Sequence, residues 1–239
     1  MNPFNFGKPV EIPSKKVYKI LKRKGVDYIY HANSVITACQ FLRKGALLSR
    51  GTIERSGLYQ TAQNSDETDK ELGIWFDVFA DSVDIHDYAR RANAYGPVLF
   101  VLDVELIAKA YTGKVWVTKL NPINWHGKTH QQRWFVSAKD LEDNFVKGRF
   151  DQMIVFRHCG GELPIKKYLE KIVLDDPDLA TKFSGIDYYS MAYGALKLSM
   201  TEGDIKVLIS KRKCRTGCRC CAKYRRDRKY SKDMFVPKV

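Results

Sequence analysis

The sequence predicts an α+β domain built around a curved or split β-sheet, followed by a basic, cysteine-rich tail. Three observations carry that expectation. Strand-like runs occur singly among short helical segments, without the regular strand–helix alternation of a doubly wound parallel sheet. Neither a dinucleotide glycine fingerprint nor a Walker-type phosphate loop is present. The charge is also uneven: of the net +14 carried by 239 residues, +11 falls between Lys206 and the C-terminus. The expected division is therefore a near-neutral domain over residues 1–205 and a basic tail over 206–239.

The elements follow in order. Residues 1–15 have no clear period and read as an irregular arm. A short helix in "KKVYKILKRK" is broken at Gly25, and "DYIYHA" reads as a strand. Asn33 or Ser34 caps a helix with Val35, Ile36, Cys39, Phe41 and Leu42 at helical spacing, and Gly45 sits at its C-cap after Arg43 and Lys44. Residues 50–72 are polar and patternless, hence a long loop. "PVLFVLDVELI" predicts a buried strand with a short helix behind it, and "GKVWVTKL" a further strand. "NPINWHGKTHQQRWFVS" reads as a loop or hairpin. "AKDLEDNFVKGRF" reads as a helix stopped by Gly148, leading into the strand "QMIVFRH". A short helix and a strand are expected in "GELPIKKYLEKIVLDDP", and helices in "DPDLATKFSGIDYYSMAYGALKLSM". A hydrophobic fraction of 44% supports a real core. The polar start lacks a signal peptide's apolar segment and no run reaches membrane-span length, so a cytoplasmic protein is expected.

His31 closes a strand beside a capped helix, where the peptide N–H groups around Ala32–Ser34 are expected to face outward. The string "YIYHANSVITACQFLRKGALLSRG" resembles the NAD-binding start of the DarT-type ADP-ribosyltransferases, which modify nucleic-acid bases. The resemblance spans roughly residues 26–175. It implies NAD as cofactor, with His31, Ala32 and Asn33 at its nicotinamide end. It further implies that Leu48, Ser49, Arg50 and the loop beyond wrap the cofactor, and that Tyr59 stacks on the nicotinamide. An arginine among Arg55, Arg90 and Arg91 would pair with the phosphates.

The same resemblance places Gln152, at the start of an apolar strand, where the family carries its catalytic glutamate. A carboxylate there stabilises positive charge developing on the ribose, whereas an amide brings none. Gln152 then reads as an inactivating substitution or as a natural variant of weak activity, while Asp151 and Glu162 stand as alternative acids. Arg149, Trp125, Arg133 and Trp134 would line the groove for the acceptor base.

In the tail, Cys214, Cys218, Cys220 and Cys221 supply four thiols within eight residues, enough for tetrahedral zinc. Their C-x3-C-x-C-C spacing is unlike ordinary zinc fingers, and the adjacent Cys220 and Cys221 do not easily share one ion, so three of them with a distant histidine or Cys159, or a reduced cluster binding nothing, stand as alternatives. Lys211, Arg212, Lys213, Arg225 and Arg226, interleaved with Tyr224 and Tyr230, suit single-stranded DNA or RNA. The leading expectation is an NAD-dependent ADP-ribosyltransferase of nucleic acid, a toxin or anti-phage effector with an antitoxin partner. Two alternatives stand beside it. One is a metal-dependent nuclease using Asp77, Asp81, Asp84, Asp103 and Glu105; the other is a non-enzymatic nucleic-acid binder.

Overall fold

A computed structural model of the chain describes residues 11–63, 65–88, 92–109, 114–180, 185–214 and 217–237. β1 (Ile12–Pro13) and α1 (Ser14–Arg23) lie within the expected irregular arm and just beyond it. β2 (Tyr28–Asn33) runs into α2 (Val35–Lys44), which has Ser34 at its N-cap and ends at Gly45 in the left-handed conformation. The short β3 (Ala46–Leu48) follows.

The polar stretch expected as one loop instead forms α3 (Arg50–Arg55) and α4 (Asp66–Glu71). The Ser49 hydroxyl accepts the N–H of Thr52, and Arg50 pairs with Asp66, so local polar bonds replace the missing apolar period. β4 (Val78–Ala80), α5 (Ile85–Tyr88), β5 (Val98–Asp103), α6 (Leu106–Lys109) and β6 (Lys114–Val117) come next. The aromatic "NPINWHGKTHQQRWFVS" segment makes a 3-10 turn (Pro122–Asn124) and α7 (His130–Arg133), before α8 (Ala138–Asn144). α8 stops at Phe145, three residues before the expected Gly148. β7 (Ile154–Phe156), β8 (Glu162–Pro164) and β9 (Leu169–Asp176) follow; a turn rather than a helix joins the last two, closed by the Tyr168 N–H on the Ile165 carbonyl. α9 (Tyr188–Glu202) leads to β10 (Leu208–Lys213), α10 (Arg219–Arg226) and α11 (Arg228–Phe235).

The strands form two four-stranded sheets, ordered β1-β6-β7-β4 and β10-β9-β5-β2, and a small β3-β8 pair. All pairings are antiparallel except β10 on β9. The inner edges of the large sheets meet at one antiparallel bridge, Tyr30 with Asp81. The expected α+β class is therefore observed.

The segment from 206 onward is woven into the body. β10 extends the core sheet, and Cys220, Tyr224, Met234 and Phe235 are buried in the main hydrophobic cluster. The alternation of β10 explains this: Ile209 faces inward while its neighbours Leu208 and Ser210 do not.

Candidate functional site: two anchored histidines

His31 lies on β2 beside the junction of the two sheets, where Tyr30 and Asp81 exchange backbone hydrogen bonds of 2.9 and 2.8 Å. Its Nδ1 is 2.7 Å from the Phe79 carbonyl oxygen on β4. That oxygen only accepts, so Nδ1 carries the proton and Nε2 is left as an acceptor. Nε2 is buried and has no hydrogen-bond partner. Burial lowers the pKa of the ring, which outweighs the bond to Phe79, so His31 is neutral. The ring packs against Phe41 at 5.5 Å. Opposite Tyr30 in the bridge, burial pushes the Asp81 carboxyl up to about 7. At the head of β4, Asp77 is also pushed up to about 7 by burial, in spite of Arg157 at 3.0 Å.

The neighbours expected to hold a cofactor are placed differently. Ala32 and Asn33 are buried in β2 opposite Leu99 and Val98, and the Ser34 N–H is taken by Asn33 Oδ1 at 2.9 Å. The expected row of outward N–H groups is thus replaced by strand pairing and a local cap. Gly96, with φ 142°, allows the close approach there: a Cβ would sit 2.3 Å from the Asn33 carbonyl. Leu48 is a core residue paired with Glu162, and Ser49 caps α3 while its N–H bonds the Gly161 carbonyl at 2.7 Å. Arg50 grips Asp66 through two contacts of 2.6 Å and lies over Trp75. These three residues hold β3 and α3 in place instead of forming an open loop. Tyr59 is 44% exposed, and the Arg55 guanidinium covers the Phe76 ring. Arg90 and Arg91 lie outside the described residues.

Gln152 is buried. Its Oε1 accepts the Val146 N–H at 2.7 Å, and its Nε2 donates to the Asn144 carbonyl at 3.1 Å. The amide thus closes the turn after α8, using one donor and one acceptor, a pair that an ionised glutamate does not have. Asp151 accepts the Asn121 N–H at 3.2 Å, and Glu162 is exposed.

The expectation that Trp125 and Trp134 offer stacking faces is corrected. Both are buried, with Ile74, Trp116 and Val155, their rings are 4.6 Å apart, and the Trp125 indole N–H bonds the Leu120 carbonyl. Arg133 lies over Trp125, whereas Arg149 is exposed.

The second histidine, His86 on α5, is absent from every motif read in the sequence. Its Nδ1 is 2.8 Å from Asp175 Oδ2, and its Nε2 is 3.1 Å from Cys218 Sγ. Ligand atoms of His86, Cys214 and Cys218 all lie within 4.8 Å of one another, and no other such trio of His, Cys, Asp or Glu occurs among the described residues. Cys220 also interacts with His86, and its sulfur accepts the Asn93 N–H at 3.0 Å. Cys221 instead faces the Pro177 carbonyl at 3.7 Å. Burial pushes the Cys214 thiol up to about 12 although His86 opposes it. His86 shows the reverse balance: burial lowers its pKa, but Asp175 and the thiols raise it above the ordinary value.

Asp175 is 1% exposed and also binds Arg212 at 3.1 Å and the Tyr224 hydroxyl at 3.4 Å. Arg212 reaches Asp84 as well, so its charge is consumed inside the fold. Lys211 pairs with Asp176, while Lys213, Arg225 and Arg226 are exposed. Tyr224 is fully buried against Phe235, and only Tyr230 of that pair has any exposure. The carboxylates of the nuclease alternative are dispersed: Asp84 on Arg212, Asp103 on the Glu105 N–H, Glu105 on Lys109.

Fold and site together define an α+β protein with one neutral histidine at a sheet junction and another in a thiol cluster. No family model matches the chain, and no curated protein matches it. Among solved structures it is similar to the Thermus sp. 2.9 DarT in complex with ADP-ribosylated ssDNA. That likeness has a TM-score of 0.48 and 12% identity, covering 79% of this chain and 95% of that one. No described helix is long and apolar enough to cross a membrane.

Proposed function

We propose that the chain is an NAD-dependent ADP-ribosyltransferase acting on single-stranded nucleic acid. The observation that carries this reading is His31: a neutral imidazole, fixed through Nδ1, whose buried Nε2 lacks a donor. A buried unsatisfied acceptor costs about 1–3 kcal/mol, and a ribose hydroxyl supplies the missing donor. NAD would meet His31 here, whereas Arg50, expected in the loop that wraps the cofactor, is committed to Asp66. When bound, NAD supplies an activated ribose whose bond to nicotinamide is the one broken. Asp81 faces Tyr30, the chain neighbour of His31, in the strand bridge, and it supplies charge at the junction once deprotonated.

In this reading Gln152 stands at the family's acid position and contributes no charge, so transfer is slow and binding persists. The exposed Arg225, Arg226 and Lys213 draw the polynucleotide electrostatically. The biological role is that of a toxin or anti-phage effector in the cytoplasm, restrained by an antitoxin protein, with zinc as a second cofactor. Calorimetric titration of NAD into the chain and into His31→Ala tests the proposal. Binding to the first and its loss in the second is expected; absence of binding to both overturns it.

A further inference from the structure

The sequence offers four thiols in the tail, but the fold selects among them and adds a residue from 128 positions earlier. His86 arrives on α5, after β4, while Cys214 follows β10 and Cys218 precedes α10. Around one zinc ion, bonds of about 2.3 Å to sulfur and 2.0–2.1 Å to nitrogen put ligand atoms roughly 3.3–3.8 Å apart. A trio already within 4.8 Å, with His86 Nε2 and Cys218 Sγ at 3.1 Å, needs only small rotations to reach that arrangement.

We infer that His86, Cys214, Cys218 and Cys220 form a structural zinc site that stitches the C-terminal segment to the loop beside the sheet junction. Three features select these four. Asp175 accepts the His86 Nδ1–H, which fixes the tautomer and aims the Nε2 lone pair at the thiols. The Asn93 N–H bonds the Cys220 sulfur, as backbone amides do for metal-bound thiolates. Cys221 is turned toward Pro177, which resolves the conflict between adjacent cysteines. A dication with three thiolates carries −1 and Asp175 adds −1, and Arg212, which bridges Asp175 and Asp84, offsets part of that negative charge. Cys220 stands outside the trio within 4.8 Å and turns in to take the fourth position; with four protein ligands no position stays open, so the site is structural.

This inference does not depend on the transferase reading, and its test reads metal rather than activity. The full chain is purified under reducing conditions without chelator, and its metal content is measured. About one zinc per chain is expected. His86→Ala, Cys214→Ser and Cys218→Ser each reduce it several-fold, Cys221→Ser leaves it unchanged, and Asp175→Asn weakens affinity ten- to a hundredfold. Where a variant fails to fold, cobalt(II) added to the metal-stripped parent chain gives the decision through thiolate-to-metal charge-transfer and tetrahedral d–d bands. A reduced parent chain that neither carries zinc nor takes up zinc or cobalt overturns the inference. So does loss of the ion in Cys221→Ser to the same degree as in Cys218→Ser.

Discussion

His31 and His86 are both anchored through Nδ1 on an oxygen, at 2.7 and 2.8 Å, yet they are prepared for different work. The anchor of His31 is a neutral carbonyl, so nothing offsets the cost of charging a buried ring, and the imidazole stays neutral. The anchor of His86 is a carboxylate backed by Arg212, in a cluster of thiols, and its ring is held in a charged, polar network. The same bond geometry therefore yields an acceptor awaiting a hydroxyl in one place and a ligand facing sulfur in the other. The partner's charge decides which.

The largest expected effect breaks the His86 side of the comparison. Asp175→Ala removes the buried carboxylate from His86 and leaves Arg212 to Asp84 alone, at a cost of up to about 3–5 kcal/mol. Denaturant unfolding measures it, and a loss below about 1 kcal/mol refutes the network as a stabilising unit. Next comes the amide clamp of Gln152. Gln152→Glu puts a carboxylate oxygen against the Asn144 carbonyl and is expected to cost about 1–3 kcal/mol. If the variant instead keeps its stability and gains labelled-NAD transfer, Gln152 is the disarmed acid rather than the closure of the turn.

How much was legible beforehand follows the range of the interactions. β2, the capped α2 and β5 were readable because periodicity and caps are local properties. The inward turn of Trp125 and Trp134 was not, because their partners Ile74 and Trp116 come from separate elements. A distant histidine beside the cysteines was foreseeable, but not that it is His86: its sulfur partner lies 132 residues away, and the β10–β9 pairing brings it near. Asp81 was visible merely as one of several scattered carboxylates. The sheet junction that gives it a high pKa is a feature of the fold, not of the sequence around it.

The His31 side is sharpened by a substitution that separates stability from binding. His31→Phe keeps the packing on Phe41 and removes an unsatisfied acceptor but also the donor to the Phe79 carbonyl, so the two effects offset and stability is expected to change by less than about 1 kcal/mol. NAD affinity should fall by roughly tenfold or more, the worth of one buried hydrogen bond. Calorimetry and unfolding on the same variant check both halves. A loss of stability with intact binding reverses the assignment.

The two buried groups at the junction should also leave opposite marks on stability against pH. Asp81 has a folded pKa of about 7, above the ordinary carboxylate value, so the folded state holds its proton while the unfolded chain releases it. Its contribution is fully present at low pH and lost as pH rises from about 4 to 7. His31 has a folded pKa below the ordinary imidazole value, so the unfolded state binds the extra proton, and stability falls as pH drops below about 6.5. Asp81→Asn should therefore reduce the first slope, leaving the share due to Asp77 and Asp69, whose pKa values burial also raises, and stabilise the protein at pH 8 by about 1–3 kcal/mol. His31→Phe should flatten the second and leave the first intact. Denaturant midpoints across pH 5–8 measure both.

The smallest expected effect on the fold is on the surface that neither histidine touches. Arg225 and Arg226 are exposed on α10, with Arg225 paired only loosely to Asp178 at 3.6 Å, so replacing both with alanine should change stability by less than about 0.5 kcal/mol. If they meet phosphates, affinity for single-stranded DNA falls, and the slope of log affinity against log salt drops by about 0.7 for each contact removed. Arg212→Ala should behave in the opposite way, because its guanidinium is 12% exposed and held by Asp84 and Asp175. There the fold weakens and the salt slope stays as it was. Equal salt slopes for both variants and the parent would remove the α10 face as the docking surface for a polynucleotide.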